Sequence, residues 1–360
     1  MIPVILAVLA SLCLLASLIP LLPFAHGMVR SFDFGRLQAI GVAALIIVTA
    51  LVLGEATPTI LAAVAMASIA IAIQLVYVLR FTPIWRSQTA RFSGDIGSAA
   101  TISVLACNVK QGNRDYQRVV DLVREIKPDI AVFMETDSAW AEALKPCLAE
   151  FYETVEQPQE DSFGIILASR YKLRDNGVRF LLNEEVPSIS CVVELPGGRE
   201  VRIIALHPEP PLPLRDTLGR DAEILLVAEE ARDEPLPLIV TGDLNDVAWS
   251  RTTRRFLRIS GLLDPRQGRG LFNSFDARYW FLRWPLDHIF HSRDFELLAI
   301  ERQPFVGSDH FPMYYCLALT DRDRNEAPPE PTGNDIAEAD EAVKVESSRN
   351  RPPAGSDWES

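Results

Sequence analysis

The sequence predicts a mixed α/β domain preceded by three transmembrane helices. Three uncharged apolar segments occupy the first 80 residues. From about Thr101 the pattern changes to short β-branched runs that alternate with amphipathic stretches, which is typical of an α/β domain. Hairpin-like neighbours such as residues 191–207 occur among these runs. The sheet is therefore not expected to be purely parallel, because a short connection can join only antiparallel strands.

The membrane domain is predicted over residues 1–80, with apolar segments at 2–24, 37–53 and 57–79. A helix needs about 20 residues, with a range of roughly 17–25, to cross the hydrocarbon core of a bilayer. A signal peptide is disfavoured for the first segment, because no basic region precedes it and two more apolar segments follow. Residues 81–99 are predicted to link this domain to the next one. The protein is thus predicted to be a multi-pass protein of the cell membrane.

The orientation in the membrane follows from the positions of the arginines. Arg30 and Arg36 lie between the first two segments, and Arg80, Arg86 and Arg91 follow the third. The connection at 54–58 contains no basic residue. Since short loops rich in Lys and Arg stay on the cytoplasmic side, the large domain is predicted to be cytoplasmic.

The predicted elements of the large domain lie between residues 100 and 320. Strands are predicted at 101–109, 129–135, 164–170, 189–195, 200–207, 237–245, 285–292 and 313–319, and helices at 115–128 and 249–260. Residues 321–360 are rich in Glu, Asp, Pro and Ser and contain few apolar residues. This acidic tail is predicted to be disordered, because it has little to bury.

Composition argues against an extended nucleic-acid-binding surface and against a zinc or redox site. The net charge is −13, which divides into +2 for residues 1–99, −9 for 100–320 and −6 for 321–360. Extended nucleic-acid binding is therefore unlikely, because it normally requires a basic surface. The five cysteines include no closely spaced pair, so a zinc or redox site is not predicted.

Polar residues recur at the ends of the predicted strands. They are Asn108, Glu135, His207, Asp243, Asn245, Asp287, Asp309 and His310. The ends of strands in an α/β domain converge on one edge, which is where ligands bind. Carboxylate and amide oxygens suit Mg²⁺, with Mn²⁺ as an alternative, and a histidine oriented by an aspartate can act on a phosphoryl group. The pattern predicts metal-assisted attack of water on a phosphate ester.

Six motifs carry a resemblance to a known family. They are "CNVKQGN", "PDIAVFMET", "LHP", "TGDLND", "PLDHIF" and "GSDHFPM". In this order, and across residues 100–320, the chain resembles the endonuclease/exonuclease/phosphatase superfamily. The resemblance implies a four-layer α/β sandwich of the DNase I-like type and a metal-dependent hydrolase of phosphate esters. The apolar segments resemble those of membrane-anchored bacterial members.

The resemblance also implies individual roles. Glu135 would be the principal Mg²⁺ ligand, with Asn108 beside it and Asp309 on the metal side of the site. Asp243 would orient or activate water and Asn245 would contact the phosphate.

The two histidines complete the implied site. His207 would hydrogen-bond the scissile phosphate or act as an acid. Asp287 would pair with His310, which would face the phosphate.

Three functions are compatible with the sequence. The first is a phosphodiesterase or phosphatase that acts on a membrane-proximal substrate, which could be a lipid. The second is a DNA or RNA nuclease, which the acidity of the domain disfavours, as does Phe163 where nucleases often have a tyrosine. The third is a non-catalytic membrane scaffold, which is disfavoured because clustered carboxylates repel one another without a metal.

Two further segments are open to more than one interpretation. Arg251, Arg254, Arg255 and Arg258 share one face of a predicted helix. They form either a solvated face or a contact with anionic lipid headgroups or substrate phosphates. Residues 278–285, "RYWFLRWP", belong either partly to the core or to an interfacial aromatic loop.

Overall fold

The computed structural model describes residues 1–356. Three helices are long and apolar enough to cross a membrane, at Ile2–Leu21, Arg36–Leu53 and Pro58–Phe81, with mean hydropathies of 2.7, 2.2 and 2.3. Their α-helical parts are α1 (Ile2–Leu18), α3 (Arg36–Leu53) and α4 (Pro58–Val78). Alanines such as Ala10, Ala43 and Ala67 are fully buried between them. Small residues allow close approach of helix backbones, which is how membrane helices commonly pack.

A short helix that the sequence pattern does not predict, α2 (Gly27–Phe34), lies between α1 and α3. The segment 27–38 is called the elbow below. Arg36 binds Asp33 at 2.6 Å and Gln74 at 2.7 Å, and Gln74 donates to Ser17 at 2.9 Å. These hydrogen bonds join the elbow to α1 and α4, since Ser17 and Gln74 belong to those helices.

The large domain contains two stacked sheets. The first has the order β10-β11-β1-β2-β4-β3 and the second β5-β6-β7-β8-β9. The first comprises β1 (Ala100–Asn108), β2 (Ile130–Met134), β3 (Glu153–Gln157), β4 (Ile165–Ser169), β10 (Phe295–Arg302) and β11 (Met313–Leu319). The second comprises β5 (Leu173–Phe180), β6 (Pro187–Glu194), β7 (Glu200–Leu206), β8 (Leu238–Asp243) and β9 (Asp287–His291). Only β1–β2 and β7–β8 are parallel pairs within these sheets, so the predicted mixed pairing is confirmed.

The sandwich has four layers, as predicted. Side chains of both sheets form one central core, which includes Val104, Ile203 and Ile239. Helices α5 (Tyr116–Ile126) and α6 (Ser138–Leu148) cover the first sheet. Helices α7 (Leu218–Asp233) and α8 (Arg251–Ser260) cover the second.

The two parts of the chain share a hydrophobic cluster. Val78 and Phe81, at the end of the third apolar helix, pack with Val247, Trp249 and Leu286 of the large domain. The Trp249 indole also donates to the Asp33 carbonyl of the elbow at 2.8 Å. Residues of the predicted linker are also packed, since Thr89 is buried and its hydroxyl lies 2.9 Å from His291 Nε2.

The prediction of a disordered tail is wrong for residues 333–347, which form helix α9 (Gly333–Ser347). Thr332 begins this helix with a capping box. Asp335 binds Arg255 and Arg258, and Glu338 binds Arg251 and Arg255. The acidic helix therefore orders by pairing with the arginines of α8. These arginines do not form the solvated face that was one of the two interpretations of the sequence.

Asp335→Asn is expected to weaken the docking of α9. Hydrogen bonds from Arg258 lower the pKa of Asp335, so its contribution is present at neutral pH and decreases as the pH falls below about 4, the pKa of an unfolded aspartate. Hydrogen bonds to charged groups contribute about 1.5–3 kcal/mol each. The variant should unfold at a lower temperature at pH 7 and expose α9 to limited proteolysis.

Glu341→Gln provides the control, because Glu341 is an exposed acid of the same helix. Equal proteolysis of both variants would show that the ion pairs do not hold α9.

Candidate active site

The eight predicted site residues lie at one edge of the sandwich, called the catalytic rim below. Asn108 ends β1 and Glu135 directly follows β2, and the two strands are parallel neighbours. Asp243 ends β8 opposite Asp287, which begins β9. His207 follows β7, Asn245 follows β8, and Asp309 and His310 precede β11. The two sheets thus each contribute strand ends to the same edge.

Asn108 joins the two sheets at this edge. Its Nδ2 donates to Glu135 Oε1 at 2.7 Å and to Asp243 Oδ2 at 3.0 Å. Its Oδ1 accepts a hydrogen bond from the Lys110 backbone at 2.9 Å. In this arrangement the amide nitrogen, not the oxygen, faces the carboxylates. Asn108 positions Glu135 and Asp243 here, and its predicted role as a metal ligand stays a prediction.

Glu135 and Asp309 bring two carboxylates to the cavity beside the rim. Desolvation raises the pKa of Glu135, and the charge of Asp309 acts in the same direction. Asp309 Oδ2 lies 2.8 Å from Lys110 Nζ and 3.6 Å from Arg278 Nη2. Two hard oxygen donors that repel each other are a suitable donor set for a divalent cation. The residues present therefore fit a metal at this position.

Asp287, His310 and Asp243 form a buried chain of charges. His310 Nδ1 lies 2.8 Å from Asp287 Oδ2, and its Nε2 lies 3.3 Å from Asp243 Oδ2. Burial alone would lower the pKa of His310, but Asp287 and Asp243 outweigh it and raise the pKa to about 10. Burial also raises the pKa of Asp287, although the charge and hydrogen bond of His310 favour its ionised form. We place the proton on the imidazole, which is a cation at neutral pH.

These three residues also have the spacing of a possible metal site. Among residues 1–356, the ligand atoms of Asp243, Asp287 and His310 lie within 4.8 Å of one another. Nδ1 of His310 is already bound to Asp287, which leaves only Nε2 of this side chain for a metal. Glu135 and Asp309 stay the predicted metal ligands, and the catalytic roles of Asp243, Asp287 and His310 also stay predictions.

The other two predicted residues border the same cavity. His207 Nε2 is 4.0 Å from Asp243 Oδ2, and its Nδ1 has no hydrogen-bond partner among the described residues. Asn245 adopts a positive φ of 51°, and its backbone N–H donates to Asp243 Oδ1 at 2.9 Å. Its Nδ2 donates to Pro208 O at 2.9 Å, which leaves a second amide hydrogen for a ligand.

Several contributors to the site were not predicted from the sequence. Lys110 and Arg278 supply the cations beside Asp309, and Ser274 accepts hydrogen bonds from the backbone N–H groups of Leu286 and Asp287. Lys110 lies inside the motif "CNVKQGN", two residues after Asn108, and this position could have indicated that it belongs to the site. Arg278 and Ser274 lie outside the six motifs, although Arg278 begins the segment 278–285 that the sequence analysis describes.

The cavity, about 720 Å³ in volume, is called the catalytic cavity below. Its polar side is formed by rim residues that include Glu135, His207, Asn245, Asp309 and His310. Its apolar side includes Phe34 and Gly35 of the elbow and residues 275, 282, 284 and 286 of the large domain. Phe163, where a tyrosine is common in nucleases, also lines it. The catalytic cavity is therefore lined both by the rim and by the elbow, which lies between the first two apolar helices.

Comparisons with known proteins agree with the fold. The model of the endonuclease/exonuclease/phosphatase family matches residues 105–310. An endonuclease/exonuclease/phosphatase from Beutenbergia cavernae is 18% identical, with a TM-score of 0.50 over 61% of this chain and 72% of that chain. The human nocturnin catalytic domain, solved with a sulfate anion, is 17% identical, with a TM-score of 0.51 over 62% and 96%. TDP2 of D. rerio, complexed with a single-strand DNA product, is 16% identical, with a TM-score of 0.50 over 61% and 99%.

Identities this low show the fold alone. No protein with a curated description matches the chain significantly. The family model spans more than half of the chain, and its matched range contains all eight residues of the catalytic rim. The chain belongs to the endonuclease/exonuclease/phosphatase family, whose members are metal-dependent hydrolases of phosphate esters.

Proposed function

We propose that the protein is a membrane-anchored, Mg²⁺-dependent phosphodiesterase or phosphatase that hydrolyses an amphiphilic phosphate ester at the membrane surface. The observation that carries this proposal is the composition of the catalytic cavity. Its lining combines residues of the elbow, which lies between two apolar helices, with the carboxylates and histidines of the rim. A substrate in this cavity contacts both parts of the chain.

The location of the enzyme is part of the proposal. Helices Ile2–Leu21, Arg36–Leu53 and Pro58–Phe81 have the length and composition to span a bilayer. The arginines at positions 30, 36, 80, 86 and 91 favour the cytoplasmic side for the large domain. We infer a multi-pass cell-membrane protein whose catalytic cavity opens near the inner surface.

The metal position supplies one part of the chemistry. Glu135 and Asp309 would hold the cation, and Asn108 keeps Glu135 in place by donating to it. A bound Mg²⁺ would neutralise phosphoryl oxygens and make the phosphorus more susceptible to attack. Before any cation binds, the positive charges of Lys110 and Arg278 offset the negative charge of Asp309.

The remaining rim residues provide the base and the anion contacts. Asp243 Oδ2 accepts a hydrogen bond from Asn108 and lies 3.3 Å from His310 Nε2, and as a carboxylate it can accept the proton of the attacking water. The imidazolium of His310 stabilises negative charge that develops on the phosphoryl oxygens. Asn245 and His207 line the same cavity, and each keeps a hydrogen-bonding group without a partner among the described residues that is available to a phosphoryl oxygen.

The apolar side of the catalytic cavity favours an amphiphile over a polynucleotide. Phe34, Leu282 and Trp284 provide nonpolar contact area but no groups to bind a charged backbone. In the aromatic loop (residues 278–285), Tyr279 and Trp280 are 48% and 83% exposed. Such residues prefer the interface between water and lipid. The nuclease alternative gains no comparable support, since the large domain carries a net charge of −9.

Chelation and substrate choice test this proposal together. The detergent-purified protein should hydrolyse bis-p-nitrophenyl phosphate and a long-chain phosphodiester, lose both activities in EDTA, and regain them with Mg²⁺ or Mn²⁺. Plasmid DNA should remain uncut. Glu135→Gln should raise the Mg²⁺ concentration needed for half-maximal activity, because it removes a charged ligand.

Glu142→Gln is the matched control, since Glu142 is exposed and, within residues 1–356, forms an ion pair with Lys145 alone. Full activity in EDTA would refute metal dependence. Cleavage of DNA without cleavage of the long-chain ester would favour the nuclease instead.

The pairing of Asp287 with His310 leads to a separate prediction about turnover. His310→Ala should lower kcat by roughly 10²–10⁴-fold, because it removes a positioned cation from the transition state. Asp287→Asn should cost a comparable factor, since it leaves the imidazole without the carboxylate that holds its proton. The double variant should be little worse than either single variant, because residues that act as a unit are not additive.

Asp121→Asn, at an exposed position of α5, controls for the loss of a carboxylate. Multiplicative losses in the double variant would mean that the two residues act independently.

Membrane orientation is tested with reporters. A fusion after Ser360 should report the cytoplasm, and a fusion in the connection at Glu55 should report export, because only one of these sides is rich in arginine. The reverse pattern would place the catalytic cavity outside the cytoplasm.

A further inference from the structure

A second pocket, of about 220 Å³, lies where α8 meets the apolar helices. It is called the basic pocket below, and it is lined by Pro20, Leu21, Tyr77, Arg251, Arg254, Arg255, Arg258, Asn334 and Asp335. It shares no lining residue with the catalytic cavity. Its role is therefore separate from the hydrolytic reaction.

The position of the basic pocket relates it to the bilayer. Pro20 and Leu21 lie at the end of the first apolar helix, Ile2–Leu21. Tyr77 lies near the end of the third, Pro58–Phe81. The C-terminal ends of the first and third helices lie on the same side of the helical bundle. Given the proposed membrane location, on which this inference rests, the pocket would lie at the level where lipid headgroups meet water.

The positive charges of the basic pocket exceed the negative charges. Four arginines line it, against the single carboxylate of Asp335. Glu338 lies outside the lining and pairs with Arg251 and Arg255. Even with both carboxylates counted, two positive charges remain unbalanced.

Arg254 has no ionic partner among the described residues. Its guanidinium lies 4.7 Å from the centre of the Tyr77 ring, and its Nε donates to the Ser250 carbonyl at 3.0 Å. No described residue accepts a hydrogen bond from its two terminal nitrogens. Burial lowers the pKa of Arg254 to about 10, and the charges of Arg80 and Arg258 act in the same direction. An anion beside this side chain would relieve that unfavourable charge.

We propose that the basic pocket binds the phosphate group of an anionic membrane lipid, with Arg254 as its main contact. Two free guanidinium nitrogens match the geometry of phosphate oxygens. Basic pockets between membrane helices on the cytoplasmic side are a known form of headgroup recognition. The lipid is favoured over free phosphate, because Pro20 and Leu21 form an apolar border for the glycerol and acyl region.

Direct binding tests the proposal without any need for catalysis. The full-length protein, in a neutral detergent and with EDTA present, is titrated by calorimetry with short-chain phosphatidylglycerol, phosphatidylcholine and inorganic phosphate. Wild-type protein should bind phosphatidylglycerol at least tenfold more tightly than phosphatidylcholine, and the preference should decrease with added salt. Arg254→Gln should weaken the binding of phosphatidylglycerol by about fivefold, the value for one basic residue at a membrane surface.

The matched control is Arg118→Gln, which removes an exposed arginine of α5 that pairs with Asp115. It should bind phosphatidylglycerol like the wild type. Thermal unfolding of Arg254→Gln verifies that it folds, and the wild-type lipid preference tests the proposal independently of any variant.

Three outcomes would overturn the proposal. Equal affinity of the wild type for the two lipids would show that the pocket does not select an anion. A preference that persists in Arg254→Gln would place the lipid elsewhere, for example in the catalytic cavity. Binding of inorganic phosphate as tight as that of phosphatidylglycerol would identify a free-phosphate site.

Discussion

The side-chain amide of Asn108 is the contact on which the arrangement of the site depends. Its nitrogen donates to a carboxylate from each sheet, Glu135 from the first and Asp243 from the second. Without a shared donor, these two carboxylates would repel each other across the edges of the two sheets. The hydrogen bond from Lys110 to Asn108 Oδ1 prevents the amide from rotating away. One neutral side chain thereby aligns the metal position with the residue that accepts a proton from water.

The elbow extends this alignment to the apolar helices. Asp33 binds Arg36 through its side chain and Trp249 through its carbonyl, so one residue connects the helical bundle with the segment that follows β8. Arg220 reaches the same segment from α7 by donating to the Asn245 carbonyl at 2.8 Å. The position of Asn245 in the catalytic cavity is therefore determined jointly by the sandwich and by the elbow.

The sequence was sufficient to predict the buried strands and the rim. Strands such as β1, β2 and β8 have continuous apolar runs, because both of their faces are covered. The three unpredicted strands, β3, β5 and β10, are all edge strands. Edge strands bury less surface, so their sequences contain charges, as in "ETVEQ" of β3, and lose the apolar signal.

Contacts between distant segments explain why helix α9 and the cations beside Asp309 were not predicted. Helix α9 has a weak pattern of its own, and it is ordered by arginines about 80 residues earlier in the chain. Lys110 and Arg278 both precede Asp309 in the chain, Lys110 by 199 residues, and no local spacing indicates either contact. Residues at strand ends could be predicted because the topology brings them together. Their cationic partners could not be predicted, because the contacts of long side chains depend on the positions of the folded backbone.

The hydrophobic cluster of Val78, Phe81 and Trp249 has a consequence for how the enzyme would encounter its substrate. A flexible tether would let the large domain tumble above the bilayer and sample it in every orientation. Phe81 and Trp249 are 1% and 0% exposed, and their rings lie 6.1 Å apart, so the junction is packed as tightly as a protein core. In a bilayer, such a junction would hold the catalytic cavity at one height and one tilt. The search for a lipid substrate would then become diffusion in two dimensions, with encounter set by surface density and not by bulk concentration.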